Sequence, residues 1–185
     1  MGCGKSSVGK ILATLLPECR LIDLDTYIEE KQGKNIPEIF NEYGEAAFRR
    51  MEREALEEIF SDKSRPRAIL SLGGGTVTSE QCRQLIRQHT DCFYLRATTD
   101  TLLDNLEGHS DGRPMLNPTQ PVEAQSTETS SEREALRRRI ESLMQTRSPQ
   151  YLATANHIID IDGLSFAQIA EIIKEAVEAN SLNIK

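Results

Sequence analysis

Apolar positions fall into two rhythms along the chain. Val8, Ile11, Leu12, Leu15 and Leu16 recur at three- and four-residue intervals, which predicts a helix from Lys5 to about Leu16 with one buried stripe. Pro17 ends it, and the compact run Cys19 to Asp23 predicts a short strand closing on Asp23-Leu24-Asp25. Short helices follow over 26–32 and 36–42, broken at Gly33 and Gly44. Phe48, Met51, Ala55, Leu56 and Ile59 then mark a longer helix from about Glu45 to Phe60.

The second half repeats the alternation. Ala68-Ile69-Leu70-Ser71-Leu72 predicts a buried parallel strand that runs into Gly73-Gly74-Gly75. Thr78-Ser79-Glu80-Gln81 carries a capping-box pattern for a helix to about Gln88. Cys92 to Leu95 is the next strand, with a helix from about Thr99 to Leu106. Residues 107–131 lose all apolar period and turn rich in Gly, Pro, Ser, Thr and Gln, the composition of a long lid or insertion. Ser131 and Glu134 cap a charged helix reaching Arg147, and Ser148-Pro149 predicts the start of another. His157 to Ile161 is the last strand. Ser165 to about Ala179 is the last helix, with Ile169, Ile172, Ile173, Ala176 and Val177 inward, and 180–185 form a polar tail.

Strands and helices alternating in this way predict an α/β domain with a parallel sheet, and 185 residues suit one such domain. A net charge of −7 argues against nucleic acid as a partner, because affinity there comes from neutralising phosphates. No apolar run is long enough to cross a bilayer. The short apolar stretch after Lys5 and Lys10 lacks a small-residue cleavage site, so export is not expected. Cys3, Cys19, Cys82 and Cys92 show neither Cys-x-x-Cys spacing nor a companion histidine cluster, as reduced cytosolic thiols would. His89, His109 and His157 lie on unrelated elements.

Chemistry concentrates at a few places. Gly4-Lys5-Ser6 is the end of a Gly-x-x-x-x-Gly-Lys-[Ser/Thr] phosphate loop, in which backbone N–H groups and lysine hold phosphates and the hydroxyl holds Mg²⁺. The helix that follows aims its N-terminus at the same anion. The first glycine of the pattern, and the strand that feeds it, would fall before Met1, so the sheet is expected to lack an interior strand. Met1-Gly2-x-x-x-Ser6 also fits a myristoylation signal, with Cys3 placed for a second acyl chain. Asp23 and Asp25 lie where open α/β sheets bind ligands, although a turn and helix cap would use the same residues. Arg49 and Glu52 share a helix face, which by itself is ordinary surface pairing. Three glycines after a core strand let backbone approach a ligand.

Taken together, Gly4-Lys5-Ser6, Asp23-Leu24-Asp25, Phe48-Arg49-Arg50-Met51-Glu52, Gly73-Gly74-Gly75, Arg113-Pro114-Met115-Leu116 and Arg147-Ser148-Pro149-Gln150-Tyr151 resemble, in order and separation, the shikimate kinases. The resemblance implies a three-layer P-loop kinase fold with a central parallel sheet and a mobile lid. It implies transfer of the ATP γ-phosphate to the 3-hydroxyl of shikimate by a cytoplasmic monomer that uses Mg²⁺ and neither membrane nor nucleic acid.

By the same resemblance Gly2, Cys3, Gly4, Lys5, Ser6 and Ser7 would hold the nucleotide, and Ser6 and Asp23 the metal. Asp25 would take the hydroxyl proton, and Arg49, Arg147 and the Gly73, Gly74 and Gly75 amides would seat the carboxylated ring. Glu52 would hold Arg49, and Arg113 would arrive with the lid. The chain departs from the family pattern in its longer lid and at Leu106-Glu107, where relatives offer adenine an arginine; backbone around Asp162 to Ser165 would serve instead. A gluconate-type kinase, a non-catalytic nucleotide-binding module and a lipid-anchored protein are the rival readings. The phosphate-loop reading predicts a native intact mass with no acyl group on Gly2, and a myristoyl increment would favour the anchor.

Overall fold

The computed structural model describes residues 2–62, 67–106 and 128–182. In chain order they form α1 (Lys5–Leu15), β1 (Arg20–Asp23), α2 (Leu24–Gln32), α3 (Ile36–Ser61), β2 (Ala68–Ser71), a 3₁₀ turn (Thr76–Thr78), α4 (Glu80–His89), β3 (Phe93–Arg96), α5 (Thr99–Leu106), α6 (Glu128–Thr154), β4 (His157–Asp160) and α7 (Phe166–Leu182).

The strands make two parallel pairs. β1 runs beside β2 with Arg20 opposite Ala68 and Asp23 opposite Ser71; β3 runs beside β4 with Phe93 opposite His157 and Arg96 opposite Asp160. Among the described residues no strand joins the pairs, so the expected central sheet is present as two two-stranded halves. Two apolar clusters match the division. Val8, Leu12, Leu95, Leu103, Ile140 and Ile169 belong to one, and Ile22, Leu24, Ile28, Phe48, Leu56 and Ile86 to the other. Strand alternation links them: Ile69 packs on the first cluster, while Leu70 and Leu72 pack on the second.

A cavity of about 630 Å³ lies between the halves, lined by Val8, Leu12, Leu70, Phe93, Leu95 and Ile173 among others.

Local chemistry explains the helix boundaries. Asn35 and Glu38 form a reciprocal capping box at the start of α3, with Pro37 in its first turn. The break anticipated at Gly44 is present: its backbone, φ 77° and ψ 170°, is not helical, so α3 is two helical segments joined across a kink there. Ser79, not Thr78, caps α4, its hydroxyl accepting the Cys82 N–H.

The break anticipated at Ser148-Pro149 does not occur. α6 continues through Pro149, whose missing N–H costs the helix one bond, to the Gln145 carbonyl. α6 also begins at Glu128, so the last four residues of the anticipated 107–131 lid are helical, and α7 takes in residues 180–182 of the anticipated tail. Ile172 points outward, 38% exposed, while Ala170 on the same helix is fully buried; the apolar stripe is rotated from the one anticipated.

The cavity carries a consequence for solution behaviour. Residues 1–185 expressed alone should bind a dye specific for apolar surface in native buffer. Dye fluorescence no higher than that of a compact control protein would show that the halves close on each other.

Candidate functional site

The C-terminal ends of β1 and β2 coincide, because Asp23 is in register with Ser71. Lys5, Ser6, Asp23, Asp25, Arg49, Glu52 and the Gly73 to Gly75 loop gather around that edge, joined by Arg147 from α6. Arg113 lies outside the described residues.

Gly4 precedes α1 in a left-handed conformation, φ 75°, that L side chains avoid. A Cβ there would also run into the Phe166 ring at the start of α7. Gly2 is left-handed too, φ 68°, and its carbonyl accepts a 2.8 Å hydrogen bond from the Asn105 amide of α5. The loop is thus held between α5 and α7, with the free N–H groups of the first turn of α1 beyond it. Lys5 reaches back to within 3.7 Å of the Cys3 sulfur. The charge of an ionised Cys3 sulfur is the largest influence on Lys5 and raises its pKa, against the opposing effect of burial. Cys3 is buried and Ser7 is exposed on the first turn. Leu106 is buried beneath Gly2.

Asp23 does two jobs at once. One carboxylate oxygen caps α2, accepting the N–H groups of Asp25 at 3.1 Å and Thr26 at 3.4 Å; the other accepts the Ser6 hydroxyl at 3.1 Å. The anticipated helix cap is therefore present, and it leaves the second oxygen facing Ser6. A hydroxyl and a carboxylate oxygen side by side suit a hard cation such as Mg²⁺, which binds through one or two protein oxygens and keeps most of its water. No group of three or more His, Cys, Asp or Glu among the described residues forms an all-protein metal cage.

Asp25 sits one residue into α2. Burial, the Asp23 carboxylate and the Glu52 carboxylate all resist its ionisation, and Lys5 only partly offsets them, so its pKa is pushed up to about 6. A carboxyl with that value is poised to take up or release a proton near neutrality. Its Oδ1 lies where a Cβ on Gly73 would be, 2.8 Å away, so glycine is required there for the loop to approach.

Glu52 is fully buried on α3. Its Oε2 accepts Arg49 at 2.6 Å, and its Oε1 accepts the Thr76 hydroxyl at 2.5 Å. Burial drives the Glu52 pKa upward, and Arg49, Thr76 and Arg147 pull it back in part. Glu45 grips the far side of the Arg49 guanidinium, which lies flat against Gly75 where a Cβ would collide with it. Arg147, 7% exposed, and Tyr151 both donate to the Gly74 carbonyl, at 3.4 and 2.5 Å. Tyr151 stacks on Tyr94 of β3. Two guanidinium groups and the triple-glycine loop thus face one place, with Asp25 between them and the phosphate loop. Sequence reading did not single out Thr76, since a threonine after glycines carries no spacing signal, and it took Tyr151 only as the end of the Arg147 to Tyr151 motif, with no role of its own.

Such a site can hold a polyphosphate at α1, bind a carboxylate between planar guanidinium forks, and keep a base between the two. The shikimate kinase family model matches residues 1–178. Curated shikimate kinases of Thermus thermophilus and Chlorobaculum tepidum are 34% and 36% identical over 178 and 177 residues, each alignment covering 96% of this chain and 84% and 86% of the relative. Among solved structures, the Acinetobacter baumannii shikimate kinase in complex with shikimate is similar at a TM-score of 0.79 and 30% identity, covering 98% of this chain and 90% of that one. The Bacteroides thetaiotaomicron shikimate kinase gives 0.80 at 28% identity, covering 96% and 94%. The chain belongs to the shikimate kinase family.

Proposed function

We propose that the protein transfers the γ-phosphate of ATP to the 3-hydroxyl of shikimate. The observation that supports this reading is the contact of three charged groups with one loop: Asp25 against Gly73, Arg147 on the Gly74 carbonyl and Arg49 against Gly75, with Lys5 acting on Asp25 from the phosphate-loop side. Membership of the family supports it, and the Acinetobacter baumannii relative is known with shikimate bound.

In this reading the α1 N-terminus, the Gly2 to Ser7 loop and Lys5 bind the ATP phosphates, with the nucleotide approached from the α5 and α7 side. Ser6, and Asp23 through water, would hold Mg²⁺, which when bound would supply positive charge to the phosphates. Arg49 and Arg147 pair with the shikimate carboxylate, and the loop amides bind the ring. Asp25 accepts the proton of the attacking hydroxyl. The new O–P bond forms in line as the bond to the β,γ-bridging oxygen breaks, releasing ADP. Positioning and fixed charge, rather than covalent chemistry, supply the rate. Two arginines aimed at one pocket favour a carboxylated ring over the gluconate-type alternative, whose flexible chain gains less from a rigid clamp. The protein acts in the cytoplasm as a monomer.

ADP release should depend on both shikimate and Mg²⁺. Asp25→Asn is expected to lower kcat by about 10²–10⁴-fold with nucleotide binding retained. Arg147→Ala should cost about 2–5 kcal/mol in kcat/KM for shikimate. Shikimate-dependent turnover at the wild-type rate in both variants, followed by a coupled ADP assay, would remove the site assignment.

The raised Asp25 pKa fixes a pH dependence. Below about 6 the carboxyl is protonated and cannot accept the hydroxyl proton, so kcat/KM should fall as pH drops through that value. Stability runs the opposite way. A carboxyl whose folded pKa exceeds its unfolded value near 3.8 favours the fold below 3.8, and that contribution is lost as pH rises through about 6. Asp25→Asn should therefore melt higher than wild type at pH 8. A flat kcat/KM profile down to pH 5, or a lower melting temperature for the variant, would contradict this account of Asp25.

A further inference from the structure

We infer that Thr76 is a positioning residue for the shikimate carboxylate clamp: its hydroxyl fixes Glu52, and through Glu52 it fixes Arg49. The inference rests on the proposed shikimate reading and adds to it a residue that touches no substrate.

Thr76 is fully buried and faces two ways. Its N–H donates to the Gly73 carbonyl at 3.2 Å, closing the turn that contains the triple glycine. Its hydroxyl donates to Glu52 Oε1 at 2.5 Å, across 24 residues of sequence. One residue therefore ties the loop that would present amides to the substrate to the carboxylate that holds the arginine. A carboxylate oxygen with no exposure needs a donor, and for Oε1 the described structure provides Thr76. With Oε1 satisfied, Oε2 is left to Arg49, whose guanidinium is pressed flat on Gly75. A hydroxyl is required for this; a methyl of the same size would fill the space but leave the oxygen bare.

Several other charged or titratable groups face Glu52. Arg49 lies on its own helix, with Glu45 beyond it; Arg147 comes from α6, Asp25 from α2 and Cys82 from α4. Arg49 and Arg147 favour the carboxylate, while Asp25 opposes it. Loss of the Thr76 donor would move the balance toward a protonated Glu52, which holds Arg49 less firmly. The consequence should fall on the carboxylated substrate and grow as pH falls.

Thr76→Val keeps the shape and removes the donor, whereas Thr76→Ser keeps the donor. With wild-type protein turning over shikimate, Thr76→Val should raise KM for shikimate roughly five-fold or more at pH 7.5, and further at pH 6. KM for ATP and kcat should stay near wild type, and Thr76→Ser should restore KM for shikimate. Equal shikimate KM in wild type and Thr76→Val would overturn the inference. So would a parallel loss for both substrates that serine fails to restore, since that marks a purely structural role.

A second measurement does not depend on the substrate. Carbon-13 NMR titration of the Glu52 carboxyl should show its midpoint shifted upward in Thr76→Val and returned in Thr76→Ser. An unchanged midpoint overturns the positioning role whatever the substrate is. A wild-type protein that ignores shikimate yet shows the shift would reject the shikimate reading and keep the Thr76–Glu52 coupling.

Discussion

The substrate side of the site depends on a carboxylate with no solvent. Removing Glu52 from water costs several kcal/mol, and only close, well-directed partners offset it. Arg49 and Thr76 supply those bonds at 2.6 and 2.5 Å, and the nearby Arg147 adds charge. Because the partners come from α3, the turn after the glycine loop, and α6, the buried charge fixes three otherwise separate elements relative to one another. Breaking one of its bonds leaves a buried charge under-compensated, a loss of about 3–5 kcal/mol in comparable pairs. An exposed i,i+3 Arg–Glu pair would be worth a small fraction of that.

The phosphate side follows a related logic with backbone in place of side chains. Gly4 adopts a conformation closed to other residues and leaves no room for a Cβ beside Phe166, so α7 determines where α1 begins. Asp23 joins the two sides by capping α2 with one oxygen and meeting Ser6 with the other. The same cap sets Asp25 on the first turn of α2, close to two other carboxylates. That placement raises its pKa and lowers stability at neutral pH, a local conflict of the kind expected where a proton must move.

Much of this was legible in the sequence. Periodicity located the helices because α1, α3 and α5 each bury one stripe, and the four strands are short apolar runs bounded by breakers. Gly4, Asp23, Arg49, Gly73 to Gly75 and Arg147 could be picked out as a set because their order and spacing are shared with a known family. Boundaries were less legible. Pro149 reads as a helix start, yet tertiary packing of α6 tolerates one missing hydrogen bond. Ile172 and Ala170 differ by only two positions, and which faces the core depends on α1, against which α7 packs. The depth of Glu52 could not be read, since an i,i+3 pair looks the same on a surface as in a core. Thr76 was invisible for a similar reason: its importance arises from a contact 24 residues away.

The central claim is that this arrangement of charges phosphorylates a carboxylated ring. Phosphorus-31 NMR of the protein incubated with ATP, Mg²⁺ and shikimate tests it most directly. The account predicts a new phosphate monoester signal coupled to the ring proton at carbon 3, growing in step with ADP. Inorganic phosphate as the sole product, or no change in the ATP signals under conditions where the protein is folded, would contradict it.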